Sequence, residues 1–273
     1  MRKELDAARA AGRTVGLVPT MGALHAGHRS LIERSAAECG FTAVTVFLNP
    51  LQFAPAEDLD EYPSDRAGDI ALATEAGADL VYAPTVDEMF PDGPPVTAVT
   101  VGGGLTDRLE GAARPGHFEG VATIVAKLFA LAGPCRAYFG EKDYQQLLVV
   151  RRLAADLSFP VDVVACPTVR EHDGLALSSR NAYLSAEERA AATVLYRALL
   201  VGARGPGLRS RNAVESMAEV IAAEPLARLD YAAVADPETL APLDRAPALG
   251  HARLLVAAWF GRTRLIDNLG VHT

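Results

Sequence analysis

Short apolar runs alternate with amphipathic segments over residues 1–166, and this alternation constrains the fold more than any other feature of the sequence. A run that is apolar on both faces is typical of a buried parallel strand, and parallel strands need crossover connections between them. The predicted strands are residues 15–18, 41–48, 79–83, 96–101, 136–139 and 161–166, and the predicted helices are residues 4–11, 30–40, 65–75, 121–131 and 144–157. The pattern predicts an α/β fold with a doubly wound parallel sheet.

The character of the sequence changes after Pro167. Two helices are expected at residues 185–203 and 212–223, and three strands at residues 230–234, 253–259 and 263–269. Because helices and strands no longer alternate regularly, this part is predicted to form a smaller α+β domain. The predicted domains are therefore residues 1–168 and 169–273.

Charge and cysteine content narrow the classes of function. Lys and Arg number 26 and Asp and Glu number 34, so the formal net charge is -8, which argues against a nucleic-acid partner. The three cysteines are far apart and form no Cys-x-x-Cys pair, which is typical of buried thiols in a reducing cytoplasm. The sequence shows neither a signal peptide nor a run of about 18 apolar residues, so we expect a cytoplasmic location and no membrane partner.

Residues 19–28 join the first predicted strand to a helix and have features that suit phosphate binding. Gly22 and Gly27 permit backbone conformations and close ligand approach that other residues do not. The helix start directs unpaired N–H groups at an anion. His25 and His28, three apart, would share one helical face and each donate a hydrogen bond to a phosphate oxygen. The spacing alone fits an ordinary turn equally well.

A second junction of strand, turn and helix lies at residues 139–146. Lys142 would meet a phosphate there, and Asp143 would accept hydrogen bonds from a ribose diol. Gln146, one helical turn beyond Lys142, suits a substrate that carries a hydroxyl and a carboxylate. The alternative reading is a charged helix start without a ligand.

Further polar groups follow two other predicted strands. Ser178, Ser179 and Arg180 supply two hydroxyls and a guanidinium on a loop that would close on a triphosphate, although they also fit a loop followed by a helix cap. Asn49 and Gln52 are amides that pair with either backbone or ligand. These groups together, at the carboxyl edge of the predicted sheet, indicate nucleotidyl transfer, in which positioning and charge stabilisation do most of the catalysis.

These motifs resemble the pantothenate synthetase family of the nucleotidylyltransferase superfamily. The resemblance rests on residues 19–28, 47–53, 109–118, 139–147, 167–181 and 267–268, in the family's order. It implies a homodimer in which each chain has a Rossmann-like catalytic domain and a smaller C-terminal lid domain. The implied reaction uses ATP and Mg²⁺: pantoate attacks the α-phosphate, pyrophosphate leaves, and β-alanine attacks the pantoyl adenylate to give pantothenate and AMP.

The resemblance also implies roles for individual residues. Those implied to bind the triphosphate and stabilise its transition state are His25, His28, Lys142, Ser178, Ser179 and Arg180, with His28 as the general acid. Those implied to bind other parts of ATP are Met21, Gly22, Gly140, Asp143, Val169 and Leu177. Those implied to bind pantoate are Gln52 and Gln146, while Asp69 lies near the magnesium ion and Asn49, Tyr62 and Arg114 support the site.

The sequence departs from the family pattern in two places. Leu177 stands where the family commonly has Met, which is a nearly isosteric change. Ser64 and Gly68 stand where the family often has Arg and one of two paired acids, so the magnesium ligands stay open.

Two other functions would use part of the same pattern. The first is a nucleotidylyltransferase that stops at the adenylate or cytidylyl product, and Gln52 and Gln146 argue against it because the nucleotide itself needs neither. The second is a nucleotide-binding regulatory module without turnover. The presence of Lys142 and both histidines argues against that module.

Overall fold

The computed structural model describes residues 1–53, 59, 62–204, 210–243 and 251–272. The chain divides into two compact units. The first unit consists of residues 1–141 and 145–167, and the second of residues 142–144 and 168–273. Each unit contains one β-sheet, and each is described by itself below.

The first unit is built on a five-stranded parallel sheet. Its strands are β1 (Val15–Thr20), β2 (Phe41–Val46), β3 (Leu80–Tyr82), β4 (Cys135–Gly140) and β5 (Val161–Cys166), in the spatial order β3-β2-β1-β4-β5. Val18, Val44 and Val164 bring three of these strands into one buried core, as expected where helices cover the sheet. The doubly wound parallel sheet predicted from the apolar runs is confirmed.

Helices connect these strands. They are α1 (Arg2–Ala10), α2 (Ala26–Glu38), α3 (Arg66–Glu75), α4 (Val86–Met89), α5 (Glu110–Ala113), α6 (His117–Ala132) and α7 (Tyr144–Asp156), with short 3₁₀ helices at Pro50–Gln52 and Glu141–Asp143. α2 packs on β1, β2 and β4, whereas α6 packs on β1 and on the 3₁₀ helix Pro50–Gln52. The neighbouring strands β1 and β4 are not consecutive in the chain, and ligands of such sheets bind beyond the carboxyl ends of strands at this reversal of strand order.

Two predictions for the first unit were wrong. Residues 96–101 pair with no strand in the described part of the chain, and Val96 is fully exposed. The backbone N–H of Val99 donates instead to Thr123 Oγ1 at 2.9 Å. The apolar run has no partner strand among the described residues and therefore forms no β-strand. The helix predicted at residues 121–131 forms as α6, but its predicted start was wrong: α6 begins at His117 because Gly116, at φ 81°, turns the chain into the helix.

The second unit contains a three-stranded antiparallel sheet with β7 (His251–Phe260) between β6 (Ala227–Ala235) and β8 (Thr263–His272). A 3₁₀ helix (Ser179–Tyr183) and the helices α8 (Ala186–Ala191), α9 (Val194–Ala203) and α10 (Ser210–Ala222) precede the sheet. α9 packs on β7 and β8, and α10 packs on β6. The α+β character predicted for this part is confirmed.

The single helix predicted at residues 185–203 is divided into α8 and α9. Between them, Thr193 Oγ1 donates a hydrogen bond to the carbonyl oxygen of Ala190 at 2.8 Å. A threonine hydroxyl that bonds its own backbone competes with the helical ladder, which sequence periodicity does not reveal.

The three cysteines are free thiols, but only two are buried. Burial raises the pKa of Cys135 to about 12 and raises the pKa of Cys166 above its ordinary value, so both thiols stay protonated at neutral pH. Cys39 is half-buried, with its sulfur 3.3 Å from Tyr138 Oη, so the prediction that all three are buried was wrong for Cys39. Among the described residues, no helix combines the length and apolar character needed to span a bilayer.

Candidate functional site

Two histidine rings lie side by side in the turn between β1 and α2. His25 is the N-cap of α2 and His28 follows in its first turn, with ring centroids 4.2 Å apart. His25 Nδ1 accepts a hydrogen bond from the Gly27 N–H at 3.1 Å, and His28 Nδ1 accepts one from the His25 N–H at 3.3 Å. Because an accepting ring nitrogen carries no proton, the donor of each neutral ring is Nε2. The turn therefore offers two N–H donors at a helix N-terminus, which suits a phosphate.

The two histidines meet for a reason that differs from the predicted one. His25 has an extended backbone and precedes the helix, so the pair does not share a helical face. Reciprocal capping brings the rings together instead, because each side chain accepts a backbone N–H of the same turn.

A buried carboxylate from α3 holds the same turn. Asp69 is 4% exposed, its Oδ1 accepts the Leu24 N–H at 2.7 Å, and its Oδ2 accepts the Ala23 N–H at 3.1 Å. Gly22 has φ 94°, and a Cβ added there would lie 2.9 Å from Asp69 Oδ2. The turn thus needs a glycine at this position both for its backbone conformation and for the approach of Asp69.

The place of Asp69 near a magnesium ion stays a prediction. Each carboxylate oxygen accepts one backbone N–H and keeps a lone pair for another partner. No group of three or more His, Cys, Asp or Glu side chains that could hold a metal ion occurs in the described part of the chain. Mg²⁺ requires near-octahedral oxygen coordination. The geometry supports Asp69 as a residue that positions the turn.

Amide side chains organise the turn after β2. Asn49 is 1% exposed; its Nδ2 donates to Gln52 Oε1 and to the carbonyl oxygen of Gly120, each at 3.1 Å, and its Oδ1 accepts the Leu51 N–H at 3.3 Å. Gln52 Nε2 in turn donates to the sulfur of Met21. Asn49 therefore binds groups of the protein itself, two of them in the backbone. The sequence had left open whether this amide pairs with backbone or with a ligand. A Cβ at Gly120 would lie only 2.1 Å from the Leu51 carbonyl oxygen, so α6 approaches this turn closely.

Arg114 and His117 hold the main chain of Gln52. The Gln52 carbonyl oxygen lies 2.9 Å from His117 Nδ1 and 3.4 Å from an Arg114 guanidinium nitrogen, and the two side chains are 3.0 Å apart. Tyr62 is buried and packs edge to face on Phe53, with centroids 5.8 Å apart. Arg114 and Tyr62 thus support this turn, and His117, which was not predicted, joins them.

The end of β4 brings predicted residues to the same edge of the sheet. A Cβ added at Gly140 would meet no atom within 4 Å. Gln146 is half-buried on α7. The preceding Gln145 is 3% exposed and binds the carbonyl oxygens of Leu105 and Arg108 at 2.7 and 3.0 Å, so Gln145 has a structural role.

The remaining predicted residues lie in the second unit. Residues 169–177 form a hairpin in which the Leu177 N–H donates to the Val169 carbonyl oxygen at 3.0 Å. Ser178 follows as the cap of the 3₁₀ helix that contains Ser179 and Arg180, and its Oγ accepts the Arg180 N–H at 3.3 Å. The cap reading of this motif is therefore correct as a description of local structure.

Lys142 and Ser178 line one small cavity of the second unit. The other lining residues are Leu175, Ala176, Asn181, Leu195, Leu265, Ile266 and Asp267. Lys142 has a side chain that is 18% exposed, and its Nζ lies 3.4 Å from Asp143 Oδ1. The structure thus brings a predicted cation and a predicted hydroxyl together within this unit.

Sequence reasoning left Arg170, Arg253, Asp267 and Asn268 without a role. Arg170 makes a bidentate ion pair with Asp267, and Arg253 donates to Asn268 Oδ1 at 2.7 Å. The sequence did carry a signal, because Arg253, Asp267 and Asn268 are polar residues within apolar strands.

Comparison with known proteins covers nearly the whole chain. The family model described as Pantoate-beta-alanine ligase matches residues 1–270. A pantothenate synthetase of Thermus thermophilus is 57% identical over 260 residues, which cover 94% of this chain and 93% of that protein. One from Rubrobacter xylanophilus is 54% identical over 272 residues, with coverage of 95% and 92%.

Solved structures agree with these relatives. The crystal structure of a pantothenate synthetase from Thermus thermophilus matches with a TM-score of 0.92 and 55% identity, covering 98% of each chain. A pantoate-beta-alanine ligase from Francisella tularensis, complexed with beta-gamma ATP and beta-alanine, matches with a TM-score of 0.78 and 31% identity over 98% of this chain and 95% of that one. The resemblance drawn from the motifs is confirmed: the chain belongs to the Pantoate-beta-alanine ligase family of enzymes.

Proposed function

We propose that the chain joins pantoate to β-alanine at the expense of ATP, through a pantoyl adenylate, and releases pyrophosphate and AMP. Family membership supports the ligation, and the paired Nε2–H donors of His25 and His28 beside the end of β1 are the observation that carries the adenylation step. A cytoplasmic homodimer, a catalytic role for residues 1–168 and a lid role for residues 169–273 belong to the same proposal.

In the first step, a carboxylate oxygen of pantoate attacks the α-phosphorus of ATP. The bond from that phosphorus to the α–β bridging oxygen breaks, and pyrophosphate leaves with the electron pair. His25 and His28 are proposed to donate hydrogen bonds to the phosphate oxygens on which negative charge builds, with His28 as the general acid. Donors held by reciprocal capping need little rearrangement, which is what electrostatic stabilisation of a transition state requires.

Lys142, Ser178, Ser179 and Arg180 are proposed to neutralise the departing pyrophosphate. The shared cavity lining of Lys142 and Ser178 supports this assignment. The compact ammonium of lysine is a phosphate-binding point charge, whereas the Arg180 guanidinium can bind two phosphate oxygens at once.

The rest of ATP is assigned mainly to backbone groups. Met21 and Gly22 at the end of β1 are proposed to contact the nucleotide, Gly140 and Asp143 the ribose, and Val169 and Leu177 the adenine. The open space beside the Gly140 Cα supports a close approach by a ligand.

Gln52 and Gln146 are proposed to bind pantoate, because an amide can donate to its carboxylate and accept from its hydroxyls. The bonds from Asn49 and Met21 to the Gln52 side chain hold it before any ligand arrives. Arg114 and Tyr62 are proposed to support this subsite.

Mg²⁺ is proposed to arrive bound to ATP phosphate oxygens and water, as is common for this ion. It would supply positive charge to the triphosphate. Asp69 is proposed to lie near the ion, since each of its oxygens accepts one backbone N–H and keeps a lone pair.

In the second step, the amine nitrogen of β-alanine attacks the carbonyl carbon of the adenylate. A C–N bond forms, the C–O bond to AMP breaks, and the amine proton passes to solvent. The Francisella tularensis structure complexed with beta-gamma ATP and beta-alanine supports this choice of acceptor.

The purified protein should be mixed with ATP, Mg²⁺ and pantoate labelled with ¹⁸O in its carboxylate, with and without β-alanine. We expect pantothenate only when β-alanine is added, and one ¹⁸O in each AMP, because the bridging oxygen stays with phosphorus when the amine attacks carbon. Pyrophosphate release without transfer to β-alanine would leave an adenylating enzyme with another acceptor. Unlabelled AMP would exclude the adenylate.

A further inference from the structure

Two consecutive polar residues of β8, Asp267 and Asn268, are buried in a strand that otherwise carries apolar side chains at its centre. Asp267 is 3% exposed and Asn268 is 4% exposed, between Ile266 and Leu269. Buried polar groups are costly unless they are paired, so their partners show what they hold in place. We call Asp267 and Asn268 the β8 polar pair.

Asp267 anchors the hairpin 169–177 through Arg170. Two guanidinium nitrogens of Arg170 lie 2.6 and 2.9 Å from the two carboxylate oxygens. The same guanidinium stacks 4.0 Å from the ring centroid of Tyr196 and donates to the Gly174 carbonyl oxygen at 3.0 Å. Arg170 is therefore tied to β8, to α9 and to the tip of its own hairpin, and a bidentate pair fixes orientation as well as distance.

This anchor lies close in the chain to the residues proposed to bind phosphate. Arg170 pairs across the hairpin with Ala176, and the next bond joins the Leu177 N–H to the Val169 carbonyl oxygen. Ser178 is the following residue, so a displacement of Arg170 would displace the start of the segment 178–180.

Asn268 anchors Lys142. Its Nδ2 donates to the Lys142 carbonyl oxygen at 2.8 Å, while its Oδ1 accepts from Arg253 Nε at 2.7 Å. Arg253 stacks 3.7 Å from the ring centroid of Tyr144, two residues beyond Lys142. Asn268 thus holds the lysine segment by its backbone and leaves the Lys142 ammonium out of this network.

We infer that the β8 polar pair positions Lys142 and the segment 178–180 relative to one another. The two residues are neighbours on one strand: Asn268 binds the main chain of Lys142, and Asp267 binds Arg170 in the hairpin that leads to Ser178. Lys142 and Ser178 line one cavity. The inference rests on the proposed function, because it concerns groups proposed to bind the triphosphate. Asp267, Asn268 and Arg170 are positioning residues in this scheme and do not touch the reacting atoms.

The test compares Asp267→Asn and Asn268→Ala with Asp230→Asn, in pantoate-dependent pyrophosphate release by the full chain. Asp230 binds Arg264 at 2.8 Å on the same sheet, so its variant removes a more exposed ion pair that lies outside the cavity lining. We expect Asp267→Asn and Asn268→Ala to lower kcat by about 30-fold or more and to raise the KM for ATP, because small misplacements of binding groups cost rates of this order. The KM for pantoate and all parameters of Asp230→Asn should stay near wild type.

Outcomes that overturn the inference differ from those that overturn the proposed function. If a variant only loses folded enzyme, kcat falls in proportion to the folded fraction, which thermal unfolding measures, and the KM for ATP is unchanged. That result would show that the β8 polar pair has a structural role alone. If Asp267→Asn does not unfold cooperatively, Asn268→Ala, which leaves the ion pair intact, decides the question in the same assay. Absence of pantoate-dependent pyrophosphate release in the wild-type protein would instead reject the proposed function.

Discussion

The turn between β1 and α2 and the hairpin 169–177 both carry residues proposed to bind ATP, yet they are held in place by different forces. In the turn, Asp69 accepts two neutral backbone N–H groups from residues 45 and 46 positions away. In the hairpin, Arg170 makes a charged pair with Asp267, 97 positions away. The turn is held by Asp69 and also by the short-range caps of His25 and His28, whereas the charged partner of the hairpin lies on a distant strand.

Replacing Asp69 or Asp267 by a neutral residue therefore leaves different groups without their partner. Without the Asp69 carboxylate, two neutral donors lose their acceptor, which is a modest cost. Without the Asp267 charge, a largely buried guanidinium loses its counter-ion, which is a larger cost. The two regions should therefore respond unequally to equivalent mutations.

The largest effect is expected in the second unit, from Lys142→Ala. Removing the ammonium should lower pantoate-dependent pyrophosphate release by about 10²-fold or more, if it stabilises charge in the transition state. Lys3→Ala, on the exposed face of α1, is the matched control and should behave as wild type. Activity of Lys142→Ala within a few-fold of wild type would remove the lysine from this role.

In the turn, His25→Asn separates capping from catalysis. Asparagine is a good N-cap, so the free energy of unfolding should change by less than about 0.5 kcal/mol. The variant lacks the Nε2–H donor, so pyrophosphate release should fall by about 10²-fold. Chemical denaturation and the pyrophosphate assay measure the two quantities, and retained activity would show that His25 serves the cap alone.

Asp69→Asn tests how far the turn depends on its distant support. The amide retains one acceptor oxygen, so we expect a loss of about 1–3 kcal/mol in unfolding free energy. Catalysis should fall by about tenfold through misplacement of the histidines. Glu33→Gln, exposed on α2, is the control. The comparison with the hairpin fails if Asp69→Asn destabilises the protein more than Asp267→Asn does.

Gly120→Ala extends the comparison to the turn after β2. The added Cβ would overlap the Leu51 carbonyl oxygen, so the turn must move, at a cost of about 1–3 kcal/mol. Because that turn carries Gln52, the KM for pantoate should rise by severalfold while the KM for ATP changes little. A rise in the KM for ATP alone would contradict the assignment of Gln52 to pantoate.

The smallest effect on stability is expected from Gly140→Ala. The new methyl group meets no protein atom within 4 Å, so the unfolding free energy should change by less than about 0.5 kcal/mol. The KM for ATP should nevertheless rise, because the methyl group would occupy space proposed for the ribose. An unchanged KM for ATP would place the nucleotide away from Gly140.

Particular elements show which parts of the fold could be predicted from the sequence and which could not. The apolar runs of β1, β2, β4 and β5 were identified because strands buried on both faces need nearly continuous apolar residues. Residues 96–101 have a similar composition and form no strand, since pairing requires a partner that local composition does not supply. The break between α8 and α9 was missed because sequence periodicity does not reveal a hydroxyl such as that of Thr193 bonding to the backbone.

Local patterns and motifs read in order were enough to predict the family, most of the strands and the types of residue available for phosphate chemistry. How those residues are held could not be predicted in this way. The Asp69 oxygens bind the backbone of the turn, and Arg170 binds Asp267 across 97 positions. Hydrogen bonds and ion pairs depend on distances of a few ångströms between side chains, and such distances arise only when packing brings remote segments together.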